Sequence, residues 1–216
     1  DVIFVPNDER FGPLAGKMIG TSFGYCQYYL VLREEIEGQG AQGGVVPLPG
    51  EFLSGAHRGS FNSHDGHLYV VGTDGWQSYA RENGSLERIR WTGGKMALPE
   101  SVETRKNGLI LRFNESIDPS SLNAKKAFAA QWNYLHSEAY GSPEYSVRNP
   151  GLTGHDPVKI RALHALKDGK SVFVEIPQLH PVMQFHLHLD LKTQDGRTFA
   201  PDLYYSIFHQ GKEFTD

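Results

Sequence analysis

Apolar and polar residues alternate with a period of two through most of the second half of this chain. In the run Leu109 to Phe113, residues Leu109, Leu111 and Phe113 share one side, following an Asn107-Gly108 turn. Ser171 to Ile176 repeats the pattern, with Val172, Val174 and Ile176 together after the turn Lys167-Asp168-Gly169-Lys170. The alternation is cleanest in Gln184 to Leu191. There Phe185, Leu187, Leu189 and Leu191 line one face, and Gln184, His186, His188 and Asp190 the other. A further turn, Gln194-Asp195-Gly196-Arg197, leads to a last strand, Leu203 to Phe208. Several strands with one apolar face each predict a β-sandwich.

The first part reads differently. Tyr28 to Leu32 is an apolar stretch that predicts a buried strand. An Asp65-Gly66 turn introduces Leu68-Tyr69-Val70-Val71, a polar loop Thr73-Asp74-Gly75-Trp76 follows, and Leu86 to Trp91 forms the next strand. This strand-turn-strand rhythm predicts one or two propeller-type blades. A boundary is expected near Thr92-Gly93-Gly94-Lys95, dividing the chain into a propeller-blade-like region, 1–97, and an Ig-like β-sandwich, 98–216. Only Ser120 to Trp132 predicts a helical turn or two: Asp118-Pro119 can cap it and Ala124, Ala127, Ala129 and Ala130 favour helix. The fold class is therefore all-β.

Composition narrows the function classes. With 21 Lys+Arg against 25 Asp+Glu, the net charge of -4 gives no footprint for nucleic acid or an anionic membrane. No apolar run approaches the roughly 20 residues of a membrane span. The lone Cys26 excludes an internal disulfide, no Cys-x-x-Cys-His haem attachment occurs, and Cys26 reads as a small buried hydrophobe. A start at Asp1 without Met or signal peptide reads as a processed chain or a piece of something longer.

Residues 12–97 resemble the closing blades of the six-bladed propellers in sorbosone/glucose-dehydrogenase-like proteins, especially the large secreted cytochrome-associated proteins of planctomycetes and verrucomicrobia. The runs that carry this are Gly43-Gly44-Val45-Val46-Pro47-Leu48-Pro49, Ser54-Gly55-Ala56-His57-Arg58-Gly59-Ser60-Phe61, Asp65-Gly66-His67-Leu68-Tyr69-Val70 and Gly75-Trp76-Gln77. Residues 98–211 resemble the Ig-like domain that follows. Their matching runs are Leu111 to Asp118, Trp132-Asn133-Tyr134, Tyr140-Gly141-Ser142-Pro143, Gly154-His155-Asp156-Pro157 and Ile176 to Val182. The resemblance implies a periplasmic or secreted redox or carbohydrate setting, with haem c on a separate cytochrome domain or partner. Neither the blades that would hold a quinone cofactor nor the haem motif occurs in these residues. An accessory or structural region of an oxidoreductase-like protein is the expectation, docked to a cytochrome c or other domains of a larger assembly. An unpaired propeller edge would be covered by oligomerisation or by the second domain.

No complete catalytic constellation can be read, and nothing fixes the distance between the carboxylates Glu144 and Asp156. Three candidate surfaces remain, each with a bland alternative. His57 and Arg58 could meet a ligand at a propeller mouth, or Arg58 simply pairs with a neighbouring acid. Trp132, Tyr134 and Tyr140 could stack on sugar rings in a carbohydrate-binding module. Alternatively Trp132 and Tyr134 plug the sandwich core, with Tyr140 making a corner hydrogen bond. His186 and His188, about 7 Å apart along one strand face, suit Cu or Zn with a third ligand from His180, His164 or His209. A solvent-facing strand would show the same pattern.

Overall fold

The computed structural model describes residues 1–215 of the chain. The fold is all-β, built from several antiparallel sheets of which none closes on itself. Among the described residues no helix is long and apolar enough to cross a membrane. The chain separates into two compact units, Asp1–Val31 with Val45–Met96, and Leu32–Gly44 with Ala97–Asp216.

The first unit holds β1 (Val2–Phe4), β2 (Met18–Ser22), the base of a long hairpin formed by β3 (Gln27–Ile36) and β4 (Gly40–Pro47), and then β5 (Gly55–Phe61), β6 (Leu68–Thr73) and β7 (Gly84–Ile89). One sheet runs in the order β1-β2-β3-β4, and Ile3, Ile19 and Leu30 follow one another across it. A separate meander, β5-β6-β7, is one strand short of a four-stranded propeller blade. Its Leu68 and Val70 face inward, while Val71 and Leu86, paired across the strands, stay exposed on the outer face. Phe11 meets Phe61 edge-on at 4.7 Å and helps close this core.

The second unit takes in the hairpin tip, residues 32–44, an excursion that the sequence pattern does not announce. Its further elements are β8 (Pro99–Arg105), β9 (Gly108–Phe113), β10 (Phe128–Trp132), β11 (Asp156–Pro157), β12 (Ala162–Ala165), β13 (Ser171–Glu175), β14 (Val182–His188), the two-residue strands β15 (Leu191–Lys192) and β16 (Thr198–Phe199), and β17 (Asp202–Ile207). One sheet runs from the hairpin tip through β17, β14 and β10 to β11; the other has the order β12-β13-β9-β8. The alternation sets what each face does. Leu109, Leu111, Phe113, Val172, Val174, Phe185, Leu187, Leu203 and Ile207 are all buried, and their partners on adjacent strands fall opposite one another. Burying both apolar faces gives the two sheets a common interior, at roughly 25 cal/mol per Å² of apolar surface removed from water.

The expectation of a helical turn or two over 120–132 holds in the first half of the stretch and is corrected in the second. Two 3₁₀ turns, Pro119–Ser121 and Ala124–Lys126, are capped by the side chains of Asp118 and Asn123, and 128–132 is strand. Alanine propensity loses there because pairing with β14 satisfies every residue of the segment in register. Asn107 clasps the end of the described chain, its amide bonding both the N–H and the carbonyl of Phe214 while Phe214 packs on Phe173 at 4.5 Å.

Candidate functional site

A loop cluster in the first unit leaves large aromatic side chains open to water. Tyr25 sits in the turn between β2 and β3, and Trp76 and Tyr79 sit in the connection between β6 and β7. They are 62%, 70% and 72% exposed. The rings of Tyr25 and Tyr79 stack at 5.7 Å with 29° between their planes. Three large aromatics left open to water on two neighbouring loops form a patch of the kind that marks binding sites.

Backbone bonds hold the platform. Tyr79 N–H donates to the Gly24 carbonyl at 2.8 Å, and Phe52 N–H donates to the Cys26 carbonyl at 2.7 Å. Arg81 and Glu82 both donate from their backbone to the Leu53 carbonyl. Asp74 folds its own loop: Oδ1 accepts from Gly75 N–H and from the Ser78 hydroxyl. Gly55 lies beneath, where a Cβ would stand 2.4 Å from the Phe23 ring. Among the described residues, Cys26 and Gln77 are the two non-glycine positions with positive φ, at 52° and 58°. One follows Tyr25 and the other follows Trp76. Left-handed backbone at a non-glycine residue costs on the order of 1 kcal/mol and persists where its surroundings demand it. Each left-handed residue here directly follows an exposed aromatic.

Cys26 is buried as a small apolar residue, though it sits in the turn before β3 rather than within the strand. Burial pushes its thiol pKa up, which makes it a poor nucleophile. Polar groups border the platform, including the ion pair of Arg81 with Glu51.

The other candidates are placed as follows. His57 and Arg58 are exposed neighbours on β5. His57 Nε2 lies 3.0 Å from Thr73 Oγ1, with its ring tilted against Phe23, and Arg58 pairs with Asp1 at 3.1 Å. Trp132 and Tyr140 do not act together: Trp132 is buried, and Tyr140 is 88% exposed. Trp132 does not plug the sheet interior either. Its register partner is Gln184, so it faces away from core residue Phe185. It is buried instead under His155, stacked 3.8 Å away, with its indole N–H donating to Tyr134 Oη. Glu144 is bound to His155, and Asp156 accepts from the Ser146 hydroxyl and from the backbone N–H groups of Val147 and Arg148. Burial alone would raise the Asp156 pKa, yet those donors hold it below the ordinary aspartate value. Each carboxylate thus has a local structural partner.

His186 and His188 lie side by side on β14, and both turn a nitrogen to the same oxygen of Asp202, at 2.6 and 3.1 Å. His186 also stacks on Tyr204 at 4.4 Å. The third ligands that the sequence offers lie elsewhere: His164 contacts Glu175, and His180 contacts the Gln178 carbonyl. Among the described residues no group of three or more His, Cys, Asp or Glu is arranged to hold a metal ion. The row reads as two imidazoles sharing a carboxylate.

Sequence reasoning passed over Tyr25, Gln77 and Tyr79. The available signal was a pair of aromatics, Trp76 and Tyr79, inside an Asp-Gly loop where neither strand face needs them. No protein-family model, no curated protein and no solved structure matches the chain.

Proposed function

We propose that this chain is an accessory β region of a larger extracytoplasmic, cytochrome-linked oxidoreductase-like protein, and that it contributes a glycan-binding surface rather than the reaction itself. The observation that carries the reading is the exposed stack of Tyr25 on Tyr79 beside Trp76. A sugar ring has an apolar C–H face and a polar edge. Flat exposed rings take the first, and the carboxylates and hydroxyls around Asp74, Ser78 and Glu51 take the second. The runs that resemble the sugar-dehydrogenase-like proteins supply the setting. In that reading, the β5-β6-β7 meander stands for an end blade and the two-sheet unit for the Ig-like domain.

The test is titration of the full chain with neutral oligosaccharides of several linkages, followed by tryptophan fluorescence and calorimetry. Saturable binding to at least one glycan is expected. Tyr79→Ala and Trp76→Ala should each weaken it about tenfold or more, since one lost ring contact is worth roughly 1 kcal/mol beyond its buried area. Thermal unfolding should stay unchanged. A chain that binds none of the glycans, or variants that bind as the parent does, would remove the proposal.

A further inference from the structure

At one end of the two-sheet unit lies a cavity of about 520 Å³ lined by Gln131, Arg148, Lys159, Arg161, Gln178 and His180, with Val158 and Pro177 as its apolar wall. No carboxylate among the described residues lines it. That is a local reversal of sign in a chain whose net charge is -4.

Gln131 is the telling member. It is only 2% exposed. Its register partner on β14 is the core residue Phe185, so its side chain enters the inner face of the sheet, where an amide is out of place. Among the described residues no hydrogen bond engages that amide. The amide opens on the cavity, where its N–H groups can donate to the oxygens of a bound molecule.

The cations around it have donors to spare. Arg148 gives one Nη to the Pro157 carbonyl, and Arg161 gives one to Glu175, out of five N–H groups on each guanidinium. His180 donates Nδ1–H to the Gln178 carbonyl at the edge of the cavity. Among the described residues the Lys159 ammonium makes no ion pair. The framework is rigid where it matters. The Arg148 backbone is clamped by Asp156 Oδ2 at 2.8 Å, Val158 N–H donates to the Ala129 carbonyl, and Arg161 N–H to the Glu175 carbonyl.

We infer that this cavity binds a small organic oxyanion, a carboxylate or a phosphate ester on a body of monosaccharide to disaccharide size. Guanidinium groups match planar or tetrahedral oxyanions, Lys159 adds a point charge at the rim, and the volume falls within the range of small-molecule sites. The inference stands on the second unit alone and does not depend on the aromatic platform.

The test is calorimetric titration of the full chain at low ionic strength with glucuronate, with glucose 6-phosphate and with uncharged glucose. One or both anions should bind with a stoichiometry of one while glucose does not, and the anion that binds identifies the source of the oxyanion. Lys159→Glu changes an exposed side chain and should weaken binding about tenfold or more. Lys167→Glu, an exposed charge outside the cavity, should leave it unchanged. Gln131→Leu keeps the shape but removes the amide, and should weaken binding without loss of the fold; if it unfolds, the two lysine variants still decide. Failure of both anions to bind, binding of glucose as tight as the anions, or equal effects of Lys159→Glu and Lys167→Glu would overturn the inference.

Discussion

In the second unit Trp132 lies under His155 with its N–H satisfied by Tyr134, and Phe185 and Tyr205 are shut inside the sheets. In the first unit Tyr25 and Tyr79 stack on one another in the open, next to an exposed Trp76. The buried rings of the second unit are therefore stability elements, and the open stack of the first is surface equipment. Removing a buried ring costs its transfer energy plus a cavity, whereas removing an exposed one costs the fold little. Phe185→Ala should lower unfolding stability by about 3–5 kcal/mol, and Tyr79→Ala by less than about 0.5 kcal/mol. Urea unfolding followed by near-UV circular dichroism reads both. If the two substitutions cost the same, the distinction between the units fails.

A smaller effect sharpens the contrast from the polar side. The second unit hides a polar knot at the hairpin tip: Glu34 accepts from the N–H and hydroxyl of Thr104, from Gln42 Nε2 and from the Tyr205 hydroxyl. Gln42 in turn accepts the N–H groups of Phe208 and His209. Burial, together with the neighbouring Glu34 carboxylate, pushes the Tyr205 pKa far above the ordinary tyrosine value. The folded state then keeps the phenol neutral while the unfolded chain ionises it. Stability from this group is fully present below about pH 10 and is lost as pH rises above it, by roughly 1.4 kcal/mol per pH unit. Tyr205→Phe should cost about 1–2 kcal/mol at neutral pH by depriving Glu34 of a donor, and should flatten the decline above pH 10. Chemical denaturation at pH 7, 9, 10 and 11 checks both, and an unaltered alkaline slope in the variant would contradict the account.

The same contrast explains what was legible in the sequence. Leu109, Leu111, Phe113, Phe185 and Leu187 could be assigned to one interior because period-two alternation has one physical meaning when a sheet has one buried face. The glycine-rich strands β4 and β5 carry no such signature, and the passage of 32–44 into the second unit rests on pairing of β4 with β17 and on polar contacts of Glu34 and Gln42, which no hydrophobic pattern encodes. The histidine row on β14 was legible as a face, but its meaning depended on Asp202 from β17, 14 residues beyond His188. The sequence leaves Trp132 open as core or sugar stack because it cannot show which side of a strand a later loop will cover. The platform itself stayed hidden because Tyr25 and Tyr79 meet across 54 residues of chain, and because backbone handedness at Gln77 is not written in residue type.

Gln77 offers the finest cut between packing and function. Its φ of 58° is one that glycine adopts freely and glutamine reaches only against steric resistance. Gln77→Gly removes that cost, about 1 kcal/mol, but adds conformational freedom to the unfolded chain worth roughly 0.5–1 kcal/mol. Net stability should therefore change by less than about 0.5 kcal/mol. The loop that carries Trp76 and Tyr79 would nevertheless be freer, and a ligand would have to order it, so glycan affinity should fall a few-fold while the melting temperature holds. Gln77→Pro provides the opposing case, because proline fixes φ near −65° and cannot occupy the observed conformation. That loop must refold, and binding should disappear whatever happens to the melting temperature. If Gln77→Gly and Gln77→Pro both bind like the parent, the left-handed turn does not orient the aromatics, and the exposed rings are incidental surface.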